Sequence, residues 1–333
     1  MAAILSGADW AGRARKMGNE ERDLYHRNLI SMADLSPEDI LQILKTAKVM
    51  KNISERDVKK APTLRGKTVI NCFMEPSTRT RTSFEIAAKR LSADVINISG
   101  SSSSLAKGES FKDMLNNLQA MKPDLIVIRS GHSGAPEMAS GWVDCPVVNG
   151  GDGRHEHPTQ CLLDLMTIAE RKSIVQGLNV TIIGDILNSR VARSNMVAMR
   201  KLKINVTACG PKTLLPLNID DMADKVTTSI SEAVSGADVI MMLRIQTERL
   251  AGCKFPNERE YSRLFGLSAD LMKKAPKDVV VMHPGPINRG VEISPEVADG
   301  PWSVILNQVT NGVAVRMAIL YLLLGGGLSG DKS

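Results

Sequence analysis

The densest run of polar chemistry in this sequence is Glu75-Pro76-Ser77-Thr78-Arg79-Thr80-Arg81-Thr82-Ser83-Phe84-Glu85. Hydroxyls and guanidiniums grouped this closely suit an anion, and phosphate is the natural guest. The run follows Thr68-Val69-Ile70-Asn71-Cys72-Phe73-Met74, which reads as a buried strand. It leads into Phe84, Ala87, Ala88 and Leu91, spaced i, i+3, i+4, i+7 as on one face of a helix. Thr82 and Glu85 have capping-box spacing, so the helix is expected to open there. Free N–H groups at that terminus would add to the anion site. An ordinary capped helix with two solvated arginines would share these residues, and the stretch alone does not choose between the two.

The elements that must position this run follow an alternating pattern. Ser36-Pro37-Glu38-Asp39 opens a helix with Ile40, Ile43, Leu44 and Ala47 on its apolar face. Strands are expected at 67–73, 94–98, 125–129 and 147–149, the last ending in the glycine-rich loop Gly150-Gly151-Asp152-Gly153. Helices are expected over 111–121 and after His157. The pattern restarts with strands at 178–185, 204–208, 238–243 and 279–282, a helix from Ser189, and an apolar C-terminal helix over 309–324. Alternation of this kind implies parallel sheets. The expected fold is α/β with two domains, each a parallel sheet flanked by helices, the C-terminal helix packing back on the first. The expected division is 24–159 plus 309–328, 160–308, and an N-terminal extension over 1–23. Arg79, Arg129, His157, Arg190, Arg244 and Pro286 all fall at carboxyl ends of expected strands, where open α/β sheets bind ligands. That shared placement argues for one active site in an interdomain cleft.

Composition narrows the function. The chain has 333 residues, 43% hydrophobic and 23% charged, with a formal charge of +6. Nucleic acid is disfavoured, because the cations are spread along the chain and aromatics for stacking make up only 3%. The cysteines, Cys72, Cys145, Cys161, Cys209 and Cys253, form no CxxC pair and are odd in number, which points to free thiols and no zinc site. No secretory signal is visible, and the run from Met317 to Leu324 is too short to span a bilayer, so a cytoplasmic protein without a membrane partner is expected. The sequence has no Walker A loop, no GxGxxG, no HExxH and no GxSxG. A nicotinamide enzyme is therefore disfavoured, and no cofactor or metal is expected. Fixed cations and donors remain, which stabilise charge in a transfer reaction.

These residues carry a resemblance. Ser77-Thr78-Arg79-Thr80-Arg81-Thr82-Ser83-Phe84-Glu85 resembles the carbamoyl phosphate signature of the aspartate/ornithine carbamoyltransferase superfamily. His157-Pro158-Thr159-Gln160 matches its second signature. Arg244-Ile245-Gln246-Thr247-Glu248-Arg249 and Leu105-Ala106-Lys107-Gly108-Glu109 resemble elements of the aspartate branch. Where the ornithine branch typically carries His-Cys-Leu-Pro, this chain has His283-Pro284-Gly285-Pro286. The resemblance spans about residues 28–325.

It implies transfer of a carbamoyl group from carbamoyl phosphate to the amine of L-aspartate, giving N-carbamoyl-L-aspartate and phosphate, a step of pyrimidine biosynthesis. Ser77, Thr78, Arg79 and Thr80 would hold the phosphate. Arg79, Thr80, Arg129 and His157 would approach the carbamoyl oxygen or the phosphate. Gln160, with the carbonyls of Gly285 and Pro286, would take the carbamoyl nitrogen. Arg190, Arg244 and Gln246 would bind the aspartate carboxylates. Lys107, with Ser104, would reach in from a neighbouring subunit of a homotrimer with shared sites. Arg81 would support Arg79 and Thr80 from behind, or form a structural ion pair. His157 is expected to act as a neutral donor, since arginines and a helix start surround it. Position 188 departs from many relatives in being Asn rather than His, a change expected to tune aspartate binding without loss of activity. A sister enzyme with another acceptor and a non-catalytic paralogue are the competing readings. Whether regulatory chains or a dihydroorotase join the trimer is left open.

Overall fold

The computed structural model describes residues 26–100, 108–172, 175–245 and 257–325. Ser36 opens the first helix, α1 (Pro37–Ser54), with a complete capping box: its Oγ accepts from the Asp39 N–H at 3.1 Å, and the Asp39 carboxylate accepts from the Ser36 N–H at 2.8 Å. The chain then alternates through β1 (Thr68–Phe73), α2 (Thr78–Arg90), β2 (Asp94–Ser99), α3 (Phe111–Ala120), β3 (Leu125–Ser130), α4 (Ala135–Ser140), β4 (Val147–Asp152) and α5 (Pro158–Arg171). Strands β1 to β4 form one parallel sheet in the order β2-β1-β3-β4. β1, β3 and β4 are buried almost throughout, apolar at their starts and polar toward the ends of β3 and β4. The edge strand β2 is exposed or half-buried throughout. Leu29 adds a short parallel bridge beside β4, its N–H donating to the Val147 carbonyl at 2.9 Å.

A second run follows: β5 (Asn179–Ile183), α6 (Arg190–Lys201), β6 (Asn205–Cys209), β7 (Lys225–Thr227), α7 (Ile230–Ser235), β8 (Val239–Met242), α8 (Glu258–Phe265), α9 (Ala269–Met272), β9 (Val280–Met282), α10 (Pro295–Ala298) and α11 (Ile305–Leu323). Its sheet is also parallel, in the order β7-β6-β5-β8-β9. The described residues fall into two compact units. One comprises 26–166 with 310–325, the other Thr167–Val309. The C-terminal part of α11 packs on the first unit, where the Ser54 hydroxyl of α1 lies 3.7 Å from the Met317 sulfur. The two-sheet α/β architecture expected from the alternation is therefore present.

Several local expectations are corrected. α2 begins at Thr78 with Ser77 as its cap residue, five residues before the Thr82 cap that the Thr82–Glu85 spacing suggests. Glu85 lies inside the helix and faces Lys89 (2.6 Å) and Asn97 (2.9 Å) instead of the helix terminus. The glycine-rich segment after Val147-Val148-Asn149 is not a loop. β4 runs on through Gly150, Gly151 and Asp152, across a register shift between Ile128 and Ser130. A side chain at Gly150 would be crowded, since a Cβ there would sit 3.3 Å from the Ile128 carbonyl and from Val127 Cγ1. α11 starts four residues before 309, and β7, only three residues long, carried no readable alternation.

Cys72, Cys145, Cys161 and Cys209 are free and buried. Burial raises the thiol pKa to about 12 at Cys72, about 11 at Cys145 and about 12 at Cys209. Cys161 is also pushed well up. Thiolate is the reactive form, so these four should be inert in the fold. In a Cys253→Ser variant, a thiol reagent at pH 8 is expected to label none of them in native protein and all of them in denaturant. Rapid native labelling would contradict this packing.

Candidate active site

The first unit gathers its polar groups because β1, β3 and β4 lie side by side and end on the same edge. Phe73 is in register with Arg129, and Ser130 with Asp152. Beyond β1, Ser77 takes an extended conformation and α2 begins. The Ser77 side chain makes no capping hydrogen bond, and the first turn contains no acid. The helix start keeps its positive end, which favours an anion. Thr78 and Arg79 are exposed and Thr80 is buried, its carbonyl accepting from the Ser83 hydroxyl at 2.9 Å. The Glu85 carboxyl is held below its usual range, chiefly by Lys89, then Asn97, with a smaller field from Arg81.

Arg129 is clamped on the next strand. Its Nη1 donates to the Gly150 carbonyl at 3.0 Å, and its Nη2 lies 3.2 Å from Glu75 Oε1. Glu75 lies within the first motif, but its partner is 54 residues away in sequence, so its role is visible only in the fold.

The turn from β4 to α5 is built on buried polar groups. Asp152 is 1% exposed. Its carboxylate accepts from the Gly134 N–H at 2.7 Å, the Asn149 amide at 2.9 Å and the Glu156 N–H at 3.0 Å, with His155 Nδ1 at 3.1 Å. Glu156 in turn accepts from the Met32 N–H at 2.9 Å and from the Ser31 hydroxyl. This network fixes the residues that precede His157. His157 is buried, and its carbonyl accepts the first helical bonds of α5, from the Gln160 and Cys161 N–H groups. The Gln160 side-chain amide donates to Asp164 Oδ1 at 2.9 Å. That bond assigns the NH₂ end of Gln160 to Asp164 and leaves its oxygen as the acceptor end.

Arg316, a single charge in the apolar run of α11, was missed in the sequence. It is buried, and its Nη2 donates to the Thr159 hydroxyl at 3.2 Å. Its guanidinium lies 5.1 Å from the centre of the Phe84 ring. Burial lowers its pKa to about 10, opposed by the field of Asp164. One side chain thus braces both signature helices, α2 and α5, from beneath.

In the second unit, β5, β8 and β9 are neighbours. Arg190 is the first residue of α6, after β5, and is buried. Ser189 caps that helix through the Ala192 N–H at 3.1 Å. Asn188 is fully buried and donates its amide to both Asp185 oxygens, at 2.8 and 3.0 Å. Arg244 follows β8 by two residues. The turn His283-Pro284-Gly285-Pro286 follows β9 directly. Ser104, Lys107, Gln246 and the extension 1–23 lie outside the described residues. Among the described residues, no cluster of His, Cys, Asp or Glu could hold a metal ion, and no helix is long and apolar enough to cross a membrane.

Two parallel α/β units with cationic groups at their strand ends describe a transferase for small anions. Comparison with known proteins defines the class. The carbamoyl-P binding domain of aspartate/ornithine carbamoyltransferases matches residues 27–170, and their Asp/Orn binding domain matches 176–323. The chain belongs to the aspartate/ornithine carbamoyltransferase family. It is 60% identical, over 90% of its length and 97% of the relative's, to the aspartate carbamoyltransferase catalytic subunit of Syntrophus aciditrophicus. It is 58% identical to that of Syntrophotalea carbinolica, over 90% and 96%. Among solved structures, ornithine carbamoyltransferase from Pyrococcus furiosus superimposes with a TM-score of 0.83 at 32% identity, covering 92% of this chain and 99% of that one. Aspartate transcarbamoylase from Trypanosoma cruzi with carbamoyl phosphate and aspartate gives 0.80 at 27% identity, covering 88% and 95%.

The Asp152 network makes a stability prediction. Asp152→Ala strips the acceptor from three buried or partly buried donors, each costing about 1–3 kcal/mol when left unmet. A loss of about 3 kcal/mol or more in unfolding free energy is expected from urea titration. A loss under about 0.5 kcal/mol would mean that the turn does not depend on this carboxylate.

Proposed function

We propose that this chain is an aspartate carbamoyltransferase that makes N-carbamoyl-L-aspartate and phosphate in the cytoplasm for pyrimidine synthesis. The observation that carries the acceptor assignment is the pair of arginines, Arg190 and Arg244, each beyond a strand end of one sheet. Two fixed cations match two carboxylates, whereas the second amine of ornithine would need an acid.

In this reading the aspartate amine attacks the carbamoyl carbon. The new C–N bond forms, the carbonyl oxygen takes up negative charge, and the C–O bond to phosphate then breaks. The departing phosphate accepts the amine proton. Carbamoyl phosphate is already activated, so the chain's task is positioning and charge stabilisation. Ser77, Thr78, Arg79 and Thr80 hold the phosphate at the start of α2. Arg79, Thr80, Arg129 and His157 stabilise the oxyanion, with His157 a neutral donor. The orientation of Gln160, its NH₂ committed to Asp164, supports its taking the carbamoyl nitrogen through its oxygen. Gly285 and Pro286 add backbone carbonyls to the same nitrogen. Arg190, Arg244 and Gln246 bind aspartate. The segment 24–159 plus 309–328 is assigned to carbamoyl phosphate and 160–308 to aspartate. A homotrimer would bring Ser104 and Lys107 into a neighbour's site, and the family's regulatory or dihydroorotase partners are compatible with this assembly.

The assay that decides is product formation from carbamoyl phosphate with L-aspartate or with ornithine. Turnover with aspartate alone is expected, and ornithine turnover would reject the acceptor assignment. Arg79→Ala should lower kcat by on the order of 100–1,000-fold. Mixing Arg79→Ala with Lys107→Ala chains under conditions of proven subunit exchange should restore activity. Background activity in that mixture would refute the shared site.

A further inference from the structure

The turn after β9 is tied to a buried pair to which the reading above gives no part. His283 and Glu292 have fully buried side chains, and His283 Nε2 lies 3.1 Å from Glu292 Oε1. On the other side of the ring, His283 Nδ1 receives the Gly285 N–H at 2.7 Å. A backbone N–H can only donate, so Nδ1 must carry its lone pair. The ring proton is therefore on Nε2 and is donated to Glu292. A doubly protonated imidazolium would set two donors against each other at Gly285. The neighbouring contacts agree. Glu292 Oε1 also receives the Asn288 N–H at 2.6 Å, and the His283 N–H donates to Gln308 Oε1 at 2.9 Å.

The consequence is mechanical. Residues 285–288 are held at both ends by one buried pair, through Gly285 at one end and Asn288 at the other. Gly285 has φ +68°, in the left-handed region that favours glycine. The carbonyls of Gly285 and Pro286 lie within this held stretch. The geometry points to His283 as a positioning residue: its neutral Nε2–H tautomer, anchored on Glu292, fixes the turn whose carbonyls receive the carbamoyl nitrogen. This rests on the carbamoyl-transfer reading and adds to it a group that does not touch substrate.

Two substitutions separate the two ends of the ring. His283→Asn keeps an acceptor near the place of Nδ1 and gives up the bond to Glu292. His283→Gln keeps a donor near the place of Nε2 and leaves the Gly285 N–H unmet. Each variant is assayed in the full-length protein, with its melting temperature measured alongside. His283→Gln is expected to raise KM for carbamoyl phosphate about tenfold or more. His283→Asn, which loses the anchor on Glu292 but keeps the acceptor for the Gly285 N–H, should raise it by a smaller factor, with KM for aspartate little changed in either. Two-bond ¹H–¹⁵N correlation spectra of histidine-labelled protein should show Nδ1 unprotonated and Nε2 protonated. A protonated Nδ1 at neutral pH overturns the proposal. So do equal carbamoyl phosphate KM values in the two variants, which would leave only a packing role. Carbamoyl transfer to aspartate by the unsubstituted chain tests the underlying reading separately, because its absence rejects that reading whatever the tautomer.

Discussion

Every strand pairing within the two sheets is parallel. That constraint sets the rest of the structure. Parallel strands all end on one edge, and each must be followed by a connection that turns back along the sheet. At the edge of the first sheet the chain places the start of α2, the Arg129 guanidinium and the start of α5. At the edge of the second it places Arg190, Arg244 and the turn after His283. Without the strands, the groups of each set would share no edge.

A polar edge of this kind must be held without being neutralised. Buried carboxylates do much of the holding. Asp152 accepts mainly from N–H groups, and Glu156 from an N–H and a hydroxyl, so their charge is spent on fixing backbone. Glu75 restrains Arg129, with the Gly150 carbonyl on its other side. Arg316 braces Thr159 and lies over Phe84. Removing one partner from such a set costs more than the bond was worth, because the remaining group stays buried and unmet. The side chains offered to substrate are thus few, and the side chains that aim them are more numerous and lie deeper.

This division explains what could be read in the sequence. Alternation of apolar runs with helical spacing revealed both sheets, since strand burial leaves a local signal. The hydroxyl-rich motif and His157-Pro158-Thr159-Gln160 were legible because the chemistry demands particular residue types in one short stretch. Glu75, Asp152, Glu156, His283 and Arg316 gave no comparable signal. The partners of Glu75, Glu156 and Arg316 lie far along the chain, as Ser31 does from Glu156, and those of Asp152 and His283, although nearer, sit in turns without a periodic pattern to reveal them. The misplaced start of α2 has a different origin. Thr82 and Glu85 satisfy capping spacing, but the helix opens at Ser77, whose side chain makes no capping hydrogen bond, and Glu85 is drawn to Lys89 and Asn97 instead.

Choice of acceptor is a still finer matter than fold. Carbamoyltransferases that take ornithine and those that take aspartate share this architecture. The fold therefore does not choose the acceptor, and in the proposed reading the choice falls to side chains beyond β5 and β8. Asn188 shows how lightly that region can be altered. Its amide donates twice to Asp185, so it holds that carboxylate two residues before Arg190 without adding a charge of its own. A neutral histidine at the same place would offer Asp185 at most a single donor at a time. Asparagine supplies two donors at any pH in the physiological range. The hold on Asp185 therefore does not depend on titration of residue 188.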